Sequence, residues 1–145
     1  MIRVRLLGPA MSSTVAMLVD SGADQAIIGR QLASRLGLVT EDAGSGRGLS
    51  ARIPVWQSQM VVEVLHPSGR LPPIEVPVDV LRGREPPLPV LGRDGFFQAF
   101  DVLFRVGPEP ERGMFLLTPN DSSGDRRVKK HAATRSGPRT RRLAG

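Results

Sequence analysis

The run Thr14-Val15-Ala16-Met17-Leu18-Val19-Asp20-Ser21-Gly22-Ala23-Asp24 decides how the rest of the chain is read. Thr14 to Val19 is almost continuously apolar and leans toward β structure, the composition of a strand covered on both faces. It runs without a break into Asp20, so a buried strand delivers a carboxylate. Taken alone, Asp20-Ser21-Gly22 carries little weight, because Asp, Ser and Gly are common turn residues. Its meaning depends on what surrounds it.

Upstream, Ile2, Val4 and Leu6 alternate with Arg3 and Arg5, the period of a strand with one face buried, and Gly8-Pro9 ends it. Downstream, after Ile27-Ile28, Gly29 suits a helix N-cap. Leu32, Ala33 and Leu36 share a helical face, and Gly37 supplies a left-handed stop. Gly44-Ser45-Gly46-Arg47-Gly48 follows, a glycine-rich segment with no expected order of its own. Arg52–Gln57 and Met60–Leu65 read as two strands, His66-Pro67-Ser68-Gly69 as a hairpin turn, and Ile74–Val80 as a further strand. Pro72, Pro73 and Pro77 would confine that last strand to an edge or a bulge. The apolar run Leu88–Leu91 closes on Gly92-Arg93-Asp94-Gly95, after which Phe96, Phe97 and Phe100 suit a short helix capped by Asp94. Asp101–Val106 and Met114–Leu117 read as closing strands. Many short strands, one or two short helices and turn chemistry between them predict an all-β barrel or sandwich.

Composition narrows the function. The 145 residues suffice for one core, and 16 Gly with 13 Pro argue against a helix bundle. With no Cys, and only His66 and His131 as imidazoles, a structural zinc site and a disulfide framework are excluded. No apolar stretch approaches the roughly 20 residues that span a bilayer, and the amino terminus lacks a signal-peptide core. The expectation is a soluble, cytoplasmic protein without cofactor or membrane association. Residues 1–119 hold 12 Arg against 12 acidic residues, whereas 120–145 hold 8 basic and 2 acidic, so the whole excess of +6 lies in the tail. Residues 1–119 therefore read as one neutral folded domain and 120–145 as a disordered basic tail. The tail is the one part that could engage nucleic acid, although no aromatic residue is interleaved to stack on bases. Gly44 to Gly48 lacks the Gly-Lys-Ser/Thr ending of a phosphate loop.

Met17-Leu18-Val19-Asp20-Ser21-Gly22-Ala23-Asp24, a glycine-rich segment about 25 residues on, and Val90-Leu91-Gly92-Arg93-Asp94 before Phe96-Phe97 together resemble the retropepsin-like aspartic proteases, over roughly residues 2–117. The resemblance implies a closed acid-protease barrel. It implies Asp20 as the catalytic acid, with Ser21, Gly22, Ala23, Asp24, Gly92 and Arg93 supporting the active-site loop, Ser21 bonding across a dimer axis and Arg93 pairing with Asp24. It also implies a flap over the substrate within Ala43–Arg52, its tip near Gly46, with Gly44, Gly46 and Gly48 facing bound peptide.

Hydrolysing a peptide bond without a metal or a nucleophilic side chain needs one group to accept a proton from water and another to give one to the leaving nitrogen. Two carboxylates sharing one proton do both, since at hydrogen-bond distance they cannot both ionise. The chain holds one Asp-Ser-Gly unit; Asp121-Ser122-Ser123-Gly124 departs from the motif. The second carboxylate would therefore come from a second copy in a two-fold homodimer acting on a peptide or protein. The family's extended amino-terminal dimer strand has no counterpart before Ile2, so either the dimer sheet uses other segments, such as Asp101–Val106 and Met114–Leu117, or the chain is truncated. Gly95 interrupts the helix expected after Gly92-Arg93. Two other functions fit parts of the sequence: a catalytically silent peptide-binding or dimerisation module on the same barrel, and a nucleic-acid-associated protein working through its tail.

Overall fold

The computed structural model describes residues 1–47, 52–83, 85–105, 108 and 114–120, and the chain divides into two compact units, Met1–Phe100 and Asp101–Gly145. The expected disorder of the basic tail concerns residues that, apart from Asn120, lie outside the described ones.

In the first unit, β1 (Ile2–Leu7), β2 (Ser12–Val19), β3 (Ala26–Gly29), helix α1 (Arg30–Leu36), β4 (Glu41–Arg47), β5 (Arg52–His66), β6 (Gly69–Arg70), β7 (Ile74–Leu81) and β8 (Val90–Leu91) precede a helical turn at Arg93–Phe97. The strands order as β1-β2-β8-β3-β7-β5, and β5 pairs back onto β1 through Val4↔Val64 and Leu6↔Val62. That pairing closes a six-stranded mixed barrel. Closure removes the free edges an open sheet of this size would expose. β4 lies outside the barrel and pairs antiparallel with the first part of β5, forming an arm.

The alternation read in β1 holds: Val4 and Leu6 are fully buried. They meet Met17, Ile28, Val62, Val76, Val78, Val80, Leu91 and Phe96 in one core. Helix α1 buries Ala33 and Leu36, and Gly37 ends it at φ 70°. Chemistry other than apolar burial enters the barrel wall at Glu63, which lies opposite Arg5 in the β1–β5 register. Its carboxylate is held by Arg5 at 3.1 Å and Arg70 at 3.4 Å, so the buried charge is paired.

Four local expectations are corrected. β2 is covered on one face only: Met17 and Val19 are buried while Leu18 is 40% exposed. Arg52–Gln57 and Met60–Leu65 are one continuous 15-residue strand, since Ser58 and Gln59 stay in register with Val78 and Pro77. β7 is interior, between β3 and β5, and Pro77 stands in it just before pairing with β3 begins at Val78. Asp94 does not cap a helix. It has extended backbone (φ −69°, ψ 124°), Gly95 follows at φ 81°, and the turn starts from Gly92 without a side-chain cap.

Among the described residues the second unit contains a two-stranded sheet, β9 (Phe100–Arg105, its first residue in the first unit) with β10 (Met114–Pro119). Leu103, Phe104, Met114 and Leu116 on it are exposed. Among the described residues no helix is long and apolar enough to cross a membrane.

The ring of Phe96 is fully buried and packs edge-on against Phe97 (centroids 5.8 Å) and obliquely against Phe100 (5.3 Å). Phe96→Ala is expected to cost about 3–5 kcal/mol of unfolding free energy, measured by chemical denaturation. A loss below about 1 kcal/mol would show that the ring does not anchor the core.

Candidate active site

Asp20 owes its position to a backbone ladder. β2 and β8 pair in parallel at Leu18↔Val90 and Val19↔Leu91, the Leu18 N–H donates to Pro89 O at 2.9 Å, and the Asp20 N–H donates to Leu91 O at 3.0 Å. The strand thus remains tied through the residue that carries the acid. The chain then turns: the Ala23 N–H reaches Asp20 O at 3.3 Å, and the Gly22 N–H donates to Asp20 Oδ1 at 2.8 Å. A Cβ at Gly22 would stand 3.1 Å from that same Oδ1, so glycine keeps the backbone close to the carboxylate.

A second loop braces the first. The Arg93 N–H donates to Ala23 O at 2.9 Å and the Asp94 N–H to Asp24 O at 2.7 Å, while the Arg93 guanidinium donates to the Asp24 carboxylate. That hydrogen bond, with the Asp24 charge behind it, raises the already high Arg93 pKa. Both side chains are largely exposed, so the ion pair adds little stability; it orients the loop. Gly92 is required by space: a Cβ there would lie 2.4 Å from Gln25 O and 2.9 Å from Ala23 O. Asp20, Ser21, Gly22, Ala23, Asp24, Gly92 and Arg93 thus form one two-loop unit.

The arm lies elsewhere in the same compact unit. Gly44 and Gly46 fall within β4, where a register shift between Asp42 and Ser45 precedes the pairs Ser45↔Pro54 and Gly46↔Ile53. The segment expected to lack order is therefore a paired strand up to Arg47. Gly48 lies outside the described residues. Alternating glycines, with no β-branched residue between them, hid the strand.

A family model described as aspartyl protease matches residues 2–94, the span that carries the barrel and both loops. The chain belongs to the aspartyl protease family. No curated protein matches its sequence. An acid-protease-like β barrel is the fold that this aspartyl protease family membership entails, and it is the fold observed.

Sequence reasoning missed one strip of this aspartyl protease domain. Cross-strand partners share a face of a sheet, so the pairs Leu18↔Val90, Val90↔Ile27, Ile27↔Asp79, Asp79↔Gln57 and Gln57↔Glu41 trace one row across the barrel wall and onto the arm. Asp20 stands two residues beyond Leu18 and belongs to the same side. Burial raises the Asp79 carboxyl above its ordinary value of 3.8, and a hydrogen bond from Gln57 offsets part of that rise. The available signal was the pattern Val76-Pro77-Val78-Asp79-Val80: Asp79 occupies the phase opposite the buried valines, but its neighbours on that face emerge only with the register.

Two outcomes test this geometry. Gly92→Ala is expected to lower stability by about 1–3 kcal/mol, whereas Gly83→Ala, where a Cβ meets nothing within 4 Å, stays within about 1 kcal/mol of the parent in thermal unfolding. Because folding raises the Asp79 pKa, the folded state holds more protons than the unfolded one above pH 3.8, and its stability falls as pH rises through the folded value. Asp79→Asn should therefore gain in melting temperature relative to the parent as pH climbs from about 4 toward neutrality; parallel pH profiles would refute the shift.

Proposed function

We propose that the protein is an aspartic endopeptidase, active as a homodimer in which the Asp20 carboxylates of two copies meet across a two-fold axis and share one proton. The observation that carries this reading is Asp20 itself. It is a partly exposed carboxylate at the end of a core strand, with one oxygen held by the Gly22 N–H and the other without a partner among the described residues. In the dimer the ionised carboxylate takes a proton from water as its oxygen attacks the peptide carbonyl carbon. The protonated one gives its proton to the reacting amide, and the C–N bond breaks as the nitrogen leaves as an amine.

Supporting roles follow from position. Ser21, exposed at the turn, is suited to bond its counterpart across the axis, and the Arg93–Asp24 pair holds the loop that presents it. The arm of β4 and β5 is suited to close over peptide, with Gly44, Gly46 and Gly48 allowing backbone approach. The sheet of β9 and β10 exposes Leu103, Phe104, Met114 and Leu116, and a two-stranded sheet gains little stability by itself, so a second copy is a fitting cover for it. The same barrel without catalysis would serve as a peptide-binding module, and the experiment below separates the two.

Asp20→Asn is expected to leave the far-ultraviolet spectrum and the sedimentation coefficient unchanged and to reduce cleavage of an unstructured peptide by at least about a thousandfold. Specific activity of the parent should fall on dilution in step with its dissociation to monomer. Equal cleavage by the variant would reject the assignment, and binding of the peptide by the parent without cleavage would leave the binding module as the function.

A further inference from the structure

We infer that Asp79 makes this site selective for peptides carrying lysine or arginine within about four residues of the bond cut. The inference rests on the proteolytic reading of Asp20 for what happens to the peptide, but not for what Asp79 recognises. Leu18, Val90 and Ile27, the part of the row nearest Asp20, are apolar and only partly buried, a surface suited to uncharged side chains of an extended peptide. The row then changes character at Asp79, and its last member is Glu41 on the arm. Three strand spacings separate β2 from β7, about 14 Å, the reach of roughly four extended residues.

What sets Asp79 apart is an unfilled requirement. Its Oδ1 is buried and has no hydrogen-bond partner among the described residues, and the same holds for Oε1 of Gln25, the residue that leads into β3 beside it. Two buried acceptors without donors are costly in a free protein, and each is satisfied by a group that brings N–H donors. Among the described residues no cation is paired with Asp79. Arg82, the nearest in sequence, is engaged by Asp42 and lies over the Trp56 ring at 5.1 Å. Desolvation works against the bare carboxylate at Asp79, and an incoming ammonium or guanidinium supplies the opposite charge as well as the missing donors. A two-fold dimer would carry two such positions, one on each side of the scissile bond.

The test compares two peptides, identical except for lysine against norleucine about four residues to either side of the bond cut. Binding is measured by fluorescence anisotropy on Asp20→Asn protein, and cleavage on the parent. The lysine peptide should bind about 10- to 100-fold more tightly, and Asp79→Leu in the same background should remove or invert that preference. Asp79→Asn, of nearly unchanged size, should weaken it and serves in place of Asp79→Leu should that variant fail to fold. Equal affinities for the two peptides, or a lysine preference that survives both substitutions, would overturn the inference. A preference that depends on Asp79 in a parent that cleaves neither peptide would uphold it while removing the catalytic reading of Asp20.

Discussion

The close approach of two backbones, at Gly92 against Ala23 and Gln25, is the constraint on which the site depends. It allows β8 to run beside β2 as far as Asp20, so that the backbone of the acid is held by a main-chain hydrogen bond. A residue positioned in this way keeps its carboxylate available. The exposed Arg93–Asp24 pair acts on the same loop from outside. Its worth lies in direction, because water and salt screen most of its energy.

The strands that build the barrel divide their labour by face. One side of β2, β3, β7 and β8 supplies Met17, Val19, Ile28, Val78, Val80 and Leu91 to the core, and the other carries Leu18, Ile27, Asp79 and Val90. Because side chains alternate, the second set is placed as rigidly as the first although it contributes less to stability. A half-buried carboxylate on that side lowers stability by a modest amount and leaves a specific demand for donors, the kind of local conflict that functional sites accumulate.

Much of this was legible in the sequence wherever the governing physics is local. Gly37 ends its helix because a left-handed residue is needed there, the alternation of Ile2–Leu7 announces a half-buried strand, and Asp20-Ser21-Gly22 together with Gly92-Arg93 identified the loop pair. Interpretation failed where neighbours decide. Pro77 looked like an edge residue because its strand's second neighbour and the point where pairing with it begins are tertiary facts. Gly44 and Gly46 concealed a strand because pairing with β5 overrode their weak propensity. Leu18 looked like core, since apolar character does not tell a buried face from an exposed one. Asp79 was invisible for a related reason: its significance arises from a row spanning five strands and the arm, whose members are scattered from Leu18 to Val90.

β5 belongs to two structures at once. Its later residues, Val61 to Val64, close the barrel against β1, and its earlier ones, Arg52 to Gln57, form one half of the arm with β4, with no break between them. The arm is therefore a cantilever whose root is part of the load-carrying wall. Grafting it onto a related scaffold would mean transplanting a wall strand, whereas residues added between Arg47 and Arg52, the last pair of its ladder, would leave the wall's register untouched.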